Sequence, residues 1–139
     1  MKNIQKGFTL VELLIVLIIL GLVASIAGPN VMKYLGSSKA KTAMLQLKEI
    51  ESSLELYFLD TGQYPTSSQG LDVLVKSDGS ISGWNGPYFK KAELPIDPWG
   101  NNYLYRSPGE HAEFDLYSLG ADKQPGGEGD GKDITNWIK

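Results

Sequence analysis

The sequence has no cysteine and a single histidine, His111. The first absence excludes a disulfide framework, a cysteine zinc site and thiol catalysis. The second leaves any Ser-His-Asp enzyme resting on one imidazole. A strong charge of either sign is also missing: 13 Lys and Arg stand against 16 Asp and Glu, for a net charge of −3. Phosphate recognition needs clustered cations, so no nucleic acid partner is expected. At 139 residues, 42% of them hydrophobic, the chain suits one domain and is too apolar to be disordered. It contains no internal repeat.

What is present is unevenly spread. Met1–Gly7 is short, polar and basic, with Lys2 and Lys6. Residues 8–28 are almost wholly apolar, with Glu12 as their one formal charge and Thr9 and Ser25 as their other polar groups. As a helix this segment is about 30 Å long, the thickness of a bilayer core. The unbroken run Leu13–Leu20 favours lipid over a soluble core. A secretory signal peptide is the rival reading, but that wants a charge-free core and a small-x-small cut site. Here a carboxylate sits near the start, and the chain continues into a second helical pattern. Lysines lie on both sides of the span (Lys33, Lys39 and Lys41 follow it), so charge alone sets no orientation. The glycine-rich remainder is expected on the far side of the membrane.

Beyond Pro29, Ala43, Leu47, Ile50, Leu54 and Tyr57 step by four and three, an amphipathic stripe facing a core. Pro29 removes a backbone donor and crowds the preceding turn, so the helix should kink or locally melt there, with Gly28 weakening the same point. Gly36-Ser37-Ser38 is a second weak spot. Asp60-Thr61-Gly62 ends the helix, with Gly62 as a left-handed cap. Residues 67–75 read as a short helix capped by Ser67 or Ser68, and Pro87–Phe89 as a short extended piece. Asn102–Arg106 and Glu113–Ser118 alternate and carry aromatics, so they read as a hairpin turning at Ser107–Glu110. The expected fold class is α+β, one long kinked N-terminal helix packed on a small antiparallel sheet.

The chemistry-bearing stretch is Lys6-Gly7-Phe8-Thr9-Leu10-Val11-Glu12. An acid at the centre of a span costs roughly 2.5–3.5 kcal/mol, less near an end. Either Glu12 snorkels or stays protonated, or cleavage after Gly7 gives Phe8 a free amine four residues away. A second polar zone, Gly120–Asp133, holds Asp122, Glu128, Asp130 and Asp133 among five glycines. Apolar packing cannot hold such a loop. It is either a solvated acidic loop or one closed by a hard cation on carboxylates and carbonyls, and its spacing is not that of an EF-hand. His111 reads as a surface or packing residue, the three tryptophans as core or interface packing, and Asp97-Pro98-Trp99-Gly100 as a turn bonding its own backbone. Gly126-Gly127-Glu128-Gly129 lacks the strand-to-helix context of a phosphate loop.

A basic leader followed by Gly7-Phe8-Thr9-Leu10-Val11-Glu12 resembles the class III signal of type IV pilins and type II secretion pseudopilins. Leu94–Asn101 with Tyr103, Ser107–His111, Phe114–Asp122 and Asp133–Trp137 are similar to the major pseudopilin family of type II secretion, over essentially the whole chain. The missing disulfide fits that branch rather than most type IV pilins. The resemblance implies a leader of residues 1–7, removed after Gly7 by prepilin peptidase, with methylation of the Phe8 amine. It implies a membrane and filament-core helix over 8–28, interrupted by Pro29, and a periplasmic domain over 29–139. It further implies that Glu12 pairs with the Phe8 amine of an adjacent subunit, and that one structural calcium ion lies in the C-terminal loop. Asp122 and Asp133 are carried over as side-chain ligands and the Leu119 carbonyl as a backbone ligand. Asp130 stands as a substitute, because Lys132 occupies a place where an acid can occur, and Gln124–Gly129 can add carbonyls. The implied function is a structural, non-enzymatic subunit of the pseudopilus, an inner-membrane-derived periplasmic filament that drives folded proteins across the outer membrane. Its implied partners are itself, minor pseudopilins, the inner-membrane assembly platform and prepilin peptidase. A major type IV or competence pilin is the alternative, and a membrane-anchored enzyme or lectin is a more distant one.

Overall fold

The structure is a computed structural model that describes residues 7–77, 79–89, 91 and 93–138. Residues 1–6 of the expected leader, with Lys2 and Lys6, lie outside the described residues. The chain divides into a unit ending at Leu35 and a compact unit of Gly36–Lys139. Helix α1, Leu10–Thr61, contributes to both.

In the first unit the helix is apolar on every side over 13–23, and its large apolar side chains from Phe8 to Leu35 are all exposed. A helix hydrophobic all round has to find lipid or other helices, and this stretch is long and apolar enough to cross a membrane. Pro29 lies inside the helix without interrupting it. Of the two expectations there, a kink or a local melt, the melt is not present. Proline withdraws a single donor, and the flanking turns keep theirs. Gly36-Ser37-Ser38 is likewise helical.

In the second unit the expected stripe is the core face of α1. Ala43, Leu47, Ile50, Leu54 and Tyr57 are all buried, as is Gly36. They pack with Leu71, Leu74, Phe89, Tyr103, Phe114, Leu116 and Ile134 into one cluster. The helix ends as expected: Gly62 takes φ +79° and its N–H donates to the Phe58 carbonyl at 2.8 Å.

Three short strands follow: β1 Leu104–Arg106, β2 Asp115–Ser118 and β3 Ile134–Thr135. They form an antiparallel sheet in the order β1-β2-β3, with Tyr105 opposite Leu116 and Ser118 opposite Ile134. The hairpin was expected, with longer strands. β3 was not, because two residues are too few to show alternation. The short helix expected over 67–75 is instead a turn at 67–69 and a single 3-10 turn, Asp72–Leu74. Gly70 at φ +64° breaks it between the two. The 3-10 turn has Leu71 as its N-cap with no side-chain cap bond; in the preceding turn the Thr66 N–H donates to Gln69 Oε1 at 2.8 Å, while Ser67 Oγ bridges to the Ser107 backbone. Pro87–Phe89 belongs to no strand and ends in a bend; the Tyr88 N–H donates to the Leu74 carbonyl at 2.7 Å.

Candidate functional site

At the start of α1 the Thr9 N–H and Oγ1 both donate to Glu12 Oε2, at 2.8 and 2.9 Å, and the Glu12 N–H returns a 3.3 Å bond to Thr9 Oγ1. This is a capping box, in which two orphan donors of the first turn are satisfied reciprocally. Thr-x-x-Glu before an apolar run is its sequence signal, supplied here by Thr9 and Glu12. Within a single chain Glu12 is thus held locally. Gly7 and Phe8 precede the cap, and Phe8 is exposed.

The loop after β2 is tied to itself at two places. The Ala121 N–H donates to the Asp130 carbonyl at 2.8 Å, and the Asp133 N–H to the Gly126 carbonyl at 3.2 Å. Asp122 Oδ1 accepts the Gln124 N–H at 3.1 Å, and Asp133 Oδ2 accepts the Gly126 N–H at 2.8 Å. The Asp122 carboxylate lies over Gly131, with Oδ2 only 2.5 Å from where a Cβ would stand. The second oxygen of Asp133, Oδ1, is buried without a hydrogen-bond partner. The Asp130 carboxylate points elsewhere and lies against Gly36 of α1. Among the described residues no group of three or more His, Asp or Glu side chains is placed to hold a metal. A cation here would take two carboxylates and complete its shell with carbonyls, a donor set suited to calcium. The unpartnered Asp133 oxygen fits that need, since a buried acceptor left unmatched is costly.

Asp115 of β2 anchors the hairpin loop. It accepts the Glu110 N–H at 2.9 Å, the His111 N–H at 3.1 Å and His111 Nδ1 at 3.0 Å. Burial works to raise its carboxyl, but the Glu110 amide, the His111 ring and the His111 amide outweigh it and hold the group below its ordinary value of 3.8. His111 is also stacked on Trp137, with centroids 4.3 Å apart and planes 3° from parallel. It is thus a half-exposed surface residue that also stacks on Trp137, within the surface-or-packing expectation.

The family model described as type II secretion system, protein G, matches residues 30–137. The chain belongs to the type II secretion system protein G family. A second model, the prokaryotic N-terminal methylation motif, matches residues 2–28. Curated relatives named type II secretion system core protein G are close over nearly full length. That of Pseudomonas aeruginosa is 44% identical, over 96% of this chain and 95% of the relative. That of Vibrio cholerae is 43% identical, over 99% and 96%. That of Escherichia coli K12 is 40% identical, over 96% and 91%. Among solved structures, the major pseudopilin of the type 2 secretion system of enterohaemorrhagic E. coli is similar, with a TM-score of 0.64 and 35% identity. It matches over 78% of this chain and 95% of that one. These findings bear out the protein G resemblance and the pilin-like α+β fold, and they favour secretion over the pilus alternative. The chain is a membrane-anchored, self-assembling structural member of the family, which is not a family of enzymes.

Proposed function

We propose that this chain is the structural subunit of the type II secretion pseudopilus and acts by exchanging lipid around its stem for the stems of sibling subunits. The observation that carries the reading is the all-round exposure of the apolar helix from Phe8 to Leu35. Lipid tails and neighbouring stems are equally apolar, so the exchange itself gains little hydrophobic energy. Polar groups then decide which arrangement wins. Glu12 is the one charge in the stem, and an unpaired carboxylate among packed helices is costly. Cleavage after Gly7 by prepilin peptidase creates an amine on Phe8, and methylation leaves it charged. A sibling at the right axial step brings that amine to Glu12, so the pair selects register more than it adds stability. Pro29 marks where the stem meets the periplasmic half of the helix. Residues 8–28 lie in the inner membrane and 29–139 in the periplasm. Minor pseudopilins and the inner-membrane assembly platform are the remaining partners, and the filament's growth drives folded proteins across the outer membrane.

One calcium ion belongs to this reading. Asp122 and Asp133 would hold it through carboxylates and Leu119 through its carbonyl, while Asp130 would have to leave Gly36 to join them. The ion supplies positive charge that closes the acidic loop. Binding at a hundredfold excess over Kd stabilises the folded unit by about 2.7 kcal/mol. Excess chelator should therefore lower the melting temperature and open the loop to protease. An unchanged melt would count against the ion.

The function is tested on the N-terminal peptide. Mass spectrometry of protein from cells with prepilin peptidase should show a chain beginning at Phe8 with one added methyl, and from cells without it an intact leader. Filaments built from chains that keep residues 1–7 would overturn the proposal.

A further inference from the structure

Asp97 is a carboxylate almost fully buried in the 97–101 turn, next to the equally buried Ser118 at the end of β2. Asp97 Oδ1 accepts the Trp99 and Asn101 N–H groups, at 3.1 and 2.7 Å. Its other oxygen, Oδ2, accepts the Ser118 hydroxyl at 2.6 Å. A carboxylate can only accept, so the one Ser118 proton is committed to it. The Ser118 oxygen must then act as an acceptor on its other side, and there the Gly120 N–H reaches it at 3.2 Å. The relay runs from the Gly120 amide through Ser118 to Asp97.

The Gly120 N–H shares one peptide plane with the Leu119 carbonyl. That bond is trans, since the two cis bonds are at Pro87 and Pro108, and in a trans peptide the N–H and C=O point opposite ways in a rigid unit. Fixing the N–H therefore fixes the direction of the Leu119 oxygen. The next residue is held as well. Gly120 sits at φ +65°, where a Cβ would stand 2.7 Å from the Asp130 carbonyl oxygen, and the Ala121 N–H donates to that same oxygen.

We propose that Asp97 and Ser118 are positioning residues for the Leu119 carbonyl, setting the calcium affinity of the Leu119–Asp133 loop from outside it. The inference rests on the calcium reading above. Removing a partner that orients a metal ligand commonly costs ten- to a hundredfold in affinity. The relay holds its ligand before the ion arrives, so the loop would not spend binding energy on ordering that peptide.

The test titrates calcium alone into detergent-solubilised full-length protein by calorimetry. Ser118→Ala and Asp97→Asn should each weaken binding about tenfold or more. Because both act through one relay, the double variant should bind no more weakly than the worse single variant. Ser67→Ala breaks a bridge to Ser107 that does not touch the loop, and should lower the melting temperature while leaving calcium affinity unchanged. Wild-type binding with an unaltered Kd in Ser118→Ala overturns the positioning role and leaves the calcium site standing. No binding by the wild type overturns both. Equal weakening in Ser67→Ala and Ser118→Ala overturns it too, as general loosening would explain both. Amide exchange on the wild type needs no variant: the Gly120 amide should be protected without calcium, and exchange at an open-loop rate would refute the relay.

Discussion

Leu54 and Leu56 stand two residues apart on α1, and truncating each should separate the faces of the helix. Leu54 is wholly buried in the core cluster, whereas Leu56 is 52% exposed. Leu54→Ala removes three apolar carbons from a site with no solvent to replace them, about 2 kcal/mol by transfer. The cavity left behind raises the cost to about 3–4 kcal/mol. In a unit of this size 1 kcal/mol shifts the melting temperature by about 4–8 °C, so Leu54→Ala should melt at least about 12 °C below wild type. Leu56→Ala gives up half-solvated surface and gains a slightly better helix former, so its effect should stay within about 1 kcal/mol. The assay is a thermal melt of full-length protein in detergent, read by tryptophan fluorescence. Trp84, Trp99 and Trp137 all belong to the second unit, so the stem contributes no signal. If Leu56→Ala melts as far below wild type as Leu54→Ala, the assignment of the buried stripe is wrong.

Other outcomes follow from single contacts. Glu12→Gln should keep the local cap, because Gln serves at that capping-box position, yet lose the charge that a sibling amine needs. It should insert into the membrane like wild type and fail to add to filaments in a cross-linking assay, as should Glu12→Ala; normal assembly by Glu12→Gln would refute charge pairing. Asp115 has a depressed carboxyl, so its stabilisation is present above 3.8 and lost as pH falls through its lower folded value. His111→Phe keeps a ring for Trp137 but removes a donor to Asp115, and should move the acid-unfolding midpoint to higher pH in a fluorescence titration. A midpoint that stays or falls would show that the His111 ring does not hold Asp115 down. Ser67→Ala deletes two bonds to Ser107 and should cost about 1 kcal/mol in the same melt.

The legible parts of this protein are those written in neighbouring residues. An unbroken apolar run, a three-four stripe from Ala43 to Tyr57 and a glycine after Thr61 each act through the helix's own geometry, and all three came through as read. Asp97 bonding its own turn is local in the same sense. One departure comes from competition among local signals. Residues 67–75 carried a plausible cap and apolar spacing, but Gly70 adopts the left-handed conformation and halts the helix. Pro29 lies within a continuous helix, because one missing donor leaves the rest of the ladder in place. The capping box at Thr9 and Glu12 is equally local, since the Thr-x-x-Glu spacing alone brings the two side chains together.

By itself, then, the order of residues determined the stem, the buried face of its continuation and the motif that marks family membership, since each needs only period or adjacency. Tertiary structure alone decided three matters. β3 exists because β2 offers an edge to pair with, not because two residues favour a strand. The Asp130 carboxylate turns to Gly36 rather than toward Asp122 and Asp133 because a bare helix backbone is packed beside it. Asp97 meets Ser118 across 21 residues because the sheet's end and the proline-rich turn are folded to the same buried spot. Chain-distant contacts of this kind depend on where the core closes, and no window along the sequence contains them.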